Sequence, residues 1–300
     1  MVMAIPDALD TDVTVAERLQ LRLAELTPAE RKVARALMAE YPVRGLQPVA
    51  KLAAAAGVSA PTVIRLVSKL SFDSYAGFQQ SLKSEVSARL SSPLTMHATR
   101  SAADGDPLSR SEQLFCDGIR TSFARLPRPE FEQVIRLLAD QRRSVTMIGG
   151  RFSSMLAEYL AAHLRVLRPN VHVISSIGAD RTSTLLDIGR RDVLIAFDYR
   201  RYQHDTVRAA AMAKRRGATL IAFTDPYLSP LAAHADVILT TSVQSPSPFG
   251  ALTPAVALVE AIVTALVDRL GDQPLERMAR YDALYAGFVD AADSAAGEGT

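Results

Sequence analysis

In the first third of the chain apolar residues recur with the period of a helix. In the remainder, short and nearly continuous apolar runs alternate with helical patterns. Thr27-Pro28-Ala29-Glu30 is a capping box with proline at the first helical position, so it predicts a helix that runs to about Glu40, where Tyr41-Pro42 stops it. A second helix is expected from about Pro48 to Ala56 and a third from Ala60 to Leu70. Val63, Leu66, Val67 and Leu70 fall at i, i+3, i+4 and i+7 of the third and form one buried stripe. Ser74 is placed to cap a fourth helix from Tyr75 to about Leu90, with Phe78, Leu82, Val86 and Leu90 on one side. Ser91-Ser92-Pro93 ends this all-helical module, a turn-rich linker spans Ala102 to Pro107, and a connecting helix is predicted from Ser109 to Leu126.

Beyond that helix the apolar runs Val145–Ile148, Val171–Ile174, Val193–Phe197, Thr219–Phe223 and Val237–Leu239 read as strands. Between them lie amphipathic segments at Ser153–Leu167, Arg181–Ile188 and Gln203–Arg216, with a short one after Ser229. Continuous apolar strands between helices imply a parallel sheet covered on both faces, a doubly wound α/β domain. A last helix, about Leu252 to Leu270, is apolar enough to pack on the sheet or on a second subunit, with Val259, Ile262 and Leu266 as candidates for a subunit contact. The expected organisation is therefore a helical domain over 17–92, a linker and connecting helix over 93–126, an α/β domain over 127–272, and a C-terminal helix with a disordered tail from Ala291 over 273–300.

The join between the second and third helices carries chemistry. Small alanines let two helices cross closely, Gly57 offers the positive φ of a tight turn, Ser59 is placed to cap the next helix, and Pro61 fits its first turn. This is a helix-turn-helix pattern. Thr62, Arg65 and Lys69 are expected on its polar face, opposite the apolar stripe, where a major groove can be read. From Tyr41 through Phe72 there is no Asp or Glu, while Arg44, Lys51, Arg65 and Lys69 are all present. Such a segment meets a polyanion without like-charge repulsion. The DNA-contacting candidates are Arg44, Lys51, Ser59, Thr62, Arg65 and Lys69.

Composition narrows the rest. The 300 residues are 48% hydrophobic and 22% charged, enough for two cores, and the net charge of +2 means that a nucleic-acid role rests on local charge. One cysteine, Cys116, excludes an intramolecular disulfide and argues against a metal cluster, and a small buried apolar role is expected for it. The N-terminus carries Asp7, Asp10 and Asp12 without a basic residue, unlike a signal peptide, and the apolar run Val256–Val267 is broken by Glu260. The expectation is a cytoplasmic protein with no membrane partner and no cofactor.

Ligands of open α/β sheets bind at the carboxyl ends of the strands. Gly149-Gly150-Arg151-Phe152-Ser153-Ser154 follows the first strand, where glycines allow close approach and N–H and hydroxyl groups can hold an anion. The third strand delivers Phe197-Asp198-Tyr199-Arg200-Arg201-Tyr202, whose adjacent arginines suit a bidentate grip on phosphate or carboxylate. The ligand candidates are Gly149, Arg151, Ser153, Ser154, Arg200, Arg201 and Ser229. The glycines also suit a plain strand-to-helix turn, and the arginines a solvated loop or a subunit salt bridge.

Taken together these segments resemble the RpiR family of bacterial transcriptional regulators. The matching residues are Leu26-Thr27-Pro28-Ala29-Glu30-Arg31, Leu52-Ala53, Val58-Ser59-Ala60-Pro61-Thr62-Val63-Ile64-Arg65 and Phe72-Asp73-Ser74-Tyr75-Ala76-Gly77-Phe78 in the helical domain. In the second domain they are Asp192-Val193-Leu194-Ile195-Ala196-Phe197, Ala213-Lys214-Arg215-Arg216-Gly217-Ala218, and Ser229-Pro230-Leu231 with Ala235-Asp236 behind it. The resemblance implies a helix-turn-helix domain followed by a sugar isomerase (SIS) domain, acting as a homodimer or tetramer on double-stranded DNA and sensing a phosphorylated metabolite. The chain departs from the SIS pattern Gly-x-Gly-x-Ser, where Arg151 stands for the second glycine. It also departs from Ser-x-Ser-Gly-x-Thr, where Asp198 and Arg200 stand at the serines, Arg201 at the glycine and Gln203 at the threonine. Three hydroxyl donors and a permissive glycine are missing, so the usual phosphate nest cannot form unchanged. The expectation is a regulator of an inverted-repeat operator, controlled by a small anionic metabolite, with no catalytic residue. Two rivals stand beside it: a sugar-phosphate isomerase with an accessory helical domain, which needs a positioned base such as His204 or Asp205 could offer, and a regulator whose SIS domain is a dimerisation scaffold.

Overall fold

A computed structural model describes residues 13–90, 94, 106–174 and 178–297. The expected turns at Ser91–Pro93 and Ala102–Gly105 lie outside the described residues.

The N-terminal domain opens on α1 (Val15–Leu21), which sequence periodicity did not predict. A capping box starts it: Thr14 Oγ1 accepts from the Glu17 N–H, and the Glu17 carboxylate accepts from the Thr14 N–H at 2.9 Å. Its successors α2 (Pro28–Ala39), α3 (Val49–Ala56), α4 (Ala60–Lys69) and α5 (Tyr75–Leu90) lie within a residue or two of expectation. Val63, Leu66, Val67 and Leu70 are all buried, joined by Leu37, Leu52, Phe78 and Leu82 in one core. The stripe expected along α5 holds for Phe78 and Leu82 but not beyond, because Leu90 is exposed and Glu85 is buried in its place.

Two helices, α6 (Pro107–Arg125) and α7 (Arg128–Ala139), lead into the α/β domain. Cys116 on α6 is exposed rather than buried, since that position faces away from the core. The sheet has β1 (Ser144–Gly149), β2 (Val171–Val173), β3 (Asp192–Phe197), β4 (Thr219–Thr224) and β5 (Val237–Thr240), all parallel in the order β2-β1-β3-β4-β5. Between them run α8 (Ser154–Leu167), α9 (Gly178–Asp187) and α10 (His204–Arg215). The chain ends on α11 (Thr253–Leu270) and α12 (Leu275–Gly297), so residues 291–297, expected as a disordered tail, continue a helix.

Strand residues alternate between two cores. Val193, Ile195 and Phe197 point to the layer of α7, α8 and α11, and Leu194 and Ala196 to the layer of α9 and α10. Val259, Ile262 and Leu266 lie wholly inside the first of these cores, so they hold α11 to its own sheet and are not a subunit contact. The face of α11 that stays exposed carries Glu260, Thr264, Val267 and Asp268 instead.

Candidate nucleic-acid interface and ligand cavity

The axes of α3 and α4 turn through 101° at Gly57, whose φ of +62° is the left-handed conformation that glycine adopts without a Cβ penalty. The N–H of Val58 donates to Ala53 O at 3.0 Å, closing the end of α3. Ser59 occupies the N-cap position of α4 but does not cap it: its hydroxyl pairs with that of Thr62 at 3.1 Å. Thr62 was expected on the polar face and is buried, where its Oγ1 accepts from the Arg65 guanidinium at 3.0 Å. Arg65 itself is exposed, held in direction by that bond, and Pro61, Ile64 and Ser68 share its face. Ile64, next to the buried Val63, is an exposed apolar side chain on the same face as Arg65.

The remaining basic residues divide. Lys51 is exposed. Arg44 is half-buried and paired with Glu40. Lys69 turns away from the α4 surface to Glu30 Oε2 at 2.8 Å and Glu25 O at 3.3 Å. The reason lies in the capping box that opens α2, because its Glu30 carboxylate is buried and needs a cation. Burial alone would push the Glu30 carboxyl up, but the bonds from Lys69 and from the Thr27 backbone outweigh it and leave the pKa below its ordinary value.

The order of strands reverses between β1 and β3, and a cavity of about 610 Å³ opens at the carboxyl ends of this pair. The loops that frame it are stapled to one another. Gly150 N–H donates to Phe197 O at 3.1 Å and to Ser153 Oγ at 2.9 Å, while the Ser153 hydroxyl donates to Phe197 O at 2.7 Å. Gly149 is obligatory here: a Cβ on it would stand 2.4 Å from the backbone of Ser154. Of the seven expected ligand residues, Arg151, Ser153, Arg200 and Arg201 line the cavity, and Gly149, Ser154 and Ser229 do not. Arg151 and Arg201 are exposed, and Arg201 adopts φ +70°, the left-handed backbone suited to the glycine of the family pattern.

Asp198 and Gln203 add two polar side chains to the wall, and most of the remainder is apolar and was not legible in the sequence. Phe152 and Met155 come from the turn into α8, Tyr199 from the loop after β3, and Val243, Phe249 and Leu252 from the segment after β5. A Phe-Gly pair inside the Ser- and Pro-rich stretch before α11 was the available signal for the last group. Among the described residues no group of three or more His, Cys, Asp or Glu side chains could hold a metal ion. His204 and Asp205 are exposed at the start of α10 and are not part of the cavity wall.

Two carboxylates sit beneath the arginines. Asp198 is buried, accepting from Gln203 N–H at 3.0 Å and from the Ser229 hydroxyl. Burial pushes its carboxyl up to about 6, and the like charge of Asp225 adds to the shift against those two bonds. Asp225 is fully buried too, accepting from the Tyr202 hydroxyl at 2.9 Å and from Tyr227 N–H at 3.0 Å, and burial likewise raises its pKa.

The loop that carries Asp225 docks on the helical domain. Arg89, on α5, donates through Nε to Tyr227 O at 2.6 Å and through its terminal nitrogen to Leu228 O. The same guanidinium lies over the rings of Tyr41 at 5.6 Å and Tyr202 at 5.7 Å. Thr14 Oγ1 donates to Pro226 O at 3.0 Å, and Arg125 on α6 pairs with Glu17 at 3.2 Å. Glu85, buried on α5, accepts from Val15 N–H at 2.8 Å and from the Tyr41 hydroxyl, tying α1 and α5 together behind this contact.

Comparison with known proteins matches residues 13–92 to the family model of the helix-turn-helix domain, rpiR family, and residues 137–265 to that of the SIS domain. The HTH-type transcriptional regulator HexR of Pseudomonas aeruginosa is 26% identical over 212 residues, which is 69% of this chain and 72% of HexR. The sugar isomerase domain of an RpiR transcription factor from Sphaerobacter thermophilus shares the fold with a TM-score of 0.56 at 23% identity, over 59% of this chain and 98% of that one. The Vibrio vulnificus NanR protein complexed with ManNAc-6P gives a TM-score of 0.53 at 16% identity, over 92% of this chain and 99% of that one.

Proposed function

The chain belongs to the RpiR family of transcriptional regulators with a SIS domain, and from that premise we propose that it reads an inverted-repeat operator in double-stranded DNA and is controlled by a small anion bound at the ends of β1 and β3. The observation that carries the DNA half is the exposed Arg65, oriented by Thr62 on a helix whose surroundings from Tyr41 to Phe72 contain no acidic residue. One such helix reads only a few base pairs. A homodimer or tetramer, paired through the α/β domain, places two of them about one helical turn or a multiple of it apart.

The effector half rests on Arg151, Arg200 and Arg201 around one cavity. NanR in complex with ManNAc-6P supports a metabolite-sensing role for such a domain. An isomerase reading is disfavoured by the one carboxylate in the wall, because Asp198 is buried and both its oxygens already accept hydrogen bonds from the fold. The protein so read is a cytoplasmic regulator without catalytic activity. Selecting bound fragments from genomic DNA with the full chain and footprinting the recovered site tests this reading. A symmetric footprint with a steep loss of affinity on raising salt is expected; absence of any selected sequence overturns it.

A further inference from the structure

The cavity at the β1/β3 switch point is built for a different class of ligand from the polyhydroxylated phosphates that SIS folds suggest. Resting on the reading that an anion binds there, we propose that the effector is an organic carboxylate with a hydrocarbon body, an acyl or aryl carboxylate.

A sugar phosphate presents several hydroxyls, and each one buried without a partner opposes binding. The hydroxyls around this cavity are engaged within the fold. Ser153 Oγ bonds Phe197 O and Gly150 N, Tyr199 OH pairs with Thr241 at 3.1 Å, and Tyr202 OH donates to Asp225 at 2.9 Å. Apart from the arginines, Asp198 and Gln203, the walls facing the space are the side chains of Phe152, Met155, Val243, Phe249 and Leu252 with the ring of Tyr199. Phe152, Met155 and Phe249 stand 60%, 55% and 56% exposed around it, an apolar rim that a hydrocarbon body would cover.

Charge favours the same ligand. Asp198 stands in the sequence where the family pattern has its first serine, and it lines the cavity with the charge of Asp225 near it, so negative charge in the wall opposes a dianion more than a monoanion. Arg151 and Arg201 are exposed at the outer edge, and a planar guanidinium matches a planar carboxylate through two parallel bonds. A monoanion held at the edge with its hydrocarbon end among the aromatic and aliphatic residues satisfies both halves of the site.

The test is calorimetric titration of the full chain with phenylacetate and hexanoate, the neutral phenylacetamide, and glucose 6-phosphate. The carboxylates should bind, the amide should bind at least tenfold more weakly, and the sugar phosphate should give no heat. Arg151→Ala and Arg201→Ala, both at exposed positions, should each weaken phenylacetate tenfold or more with the melting temperature of the free protein unchanged. Binding of glucose 6-phosphate alone, lost in the arginine variants, overturns the ligand class while the anion site stands. Failure of all three anions to bind overturns the anion site itself. If no carboxylate binds and Phe249→Asp dissociates a ligand-free oligomer, the apolar rim is a subunit surface and the proposal falls.

Discussion

Arg89 and Tyr227 belong to different domains, and the carbonyl of Tyr227 accepts from Arg89 Nε at 2.6 Å. The ring of the same tyrosine lies under the guanidinium of Arg200, 4.7 Å from centroid to Arg200 Cζ, and Arg200 lines the ligand cavity. One residue therefore touches the ligand side and the DNA-binding side of the molecule. A ligand that draws Arg200 toward itself has a direct mechanical route to α5.

Replacing Arg89 with Ala is expected to uncouple that route. The loss of its bonds to two carbonyls should destabilise the domain contact by about 1–3 kcal/mol and speed hydrogen exchange at residues 226–229. Operator binding by the ligand-free protein should persist while its response to effector disappears. A full response in the variant would show that the signal travels elsewhere.

Arg65→Ala should weaken specific operator binding by about 1–3 kcal/mol and leave the melting temperature unchanged, because the side chain is exposed and bonds only Thr62 among the contacts resolved for it. Gel-shift titration against the selected operator reads this directly. Wild-type affinity would remove Arg65 from the reading face.

Lys69→Met should behave in the opposite sense. It leaves the buried Glu30 carboxylate without its cation, so it should lower stability by about 1–2 kcal/mol, with operator affinity falling less than for Arg65→Ala. The loss should be largest near neutral pH and shrink as pH falls through the lowered Glu30 pKa, since a protonated carboxyl no longer needs the cation. Denaturant titration beside the gel shift separates the two effects.

Asp198 predicts a pH dependence. Its carboxyl titrates near 6 in the fold and near 3.8 in the unfolded chain. Below about pH 3 it is protonated in both states and has no influence; as pH rises the unfolded chain ionises first, and stability declines by about 3 kcal/mol in all once the pH has passed 6. Asp198→Asn keeps an acceptor for Gln203 N–H and removes the titration. The variant should therefore gain stability relative to wild type between pH 4.5 and 7.5, as measured by chemical denaturation at both values.

The helix-turn-helix and the parallel sheet were legible because periodicity reports burial directly. Val63, Leu66, Val67 and Leu70 announce one buried stripe, and Leu220, Ile221, Ala222 and Phe223 a strand covered on both faces. What periodicity cannot report is a polar side chain whose partner is distant in sequence. Lys69 crosses to Glu30, and Glu85 replaces an apolar residue because Val15 and Tyr41 bring it donors; Thr62 was missed for a local reason, since its hydroxyl is satisfied by Ser59 and Arg65 on either side of it. The apolar wall of the cavity was hidden for another reason: Phe249 and Leu252 reach it from beyond the last strand, in a segment without a repeating pattern.

Every bond by which Thr14 and Arg89 hold the loop after β4 ends on a main-chain oxygen, at Pro226, Tyr227 and Leu228. Main-chain oxygens are common to all residue types, so the grip depends on the path of that loop, including the left-handed turn at Leu228 with φ +58°, rather than on which side chains it displays. Exchange of the residues that line the cavity, such as Phe249 or Met155, therefore leaves the main-chain atoms that join the two domains untouched, so the specificity of the pocket and the domain contact are free to vary independently.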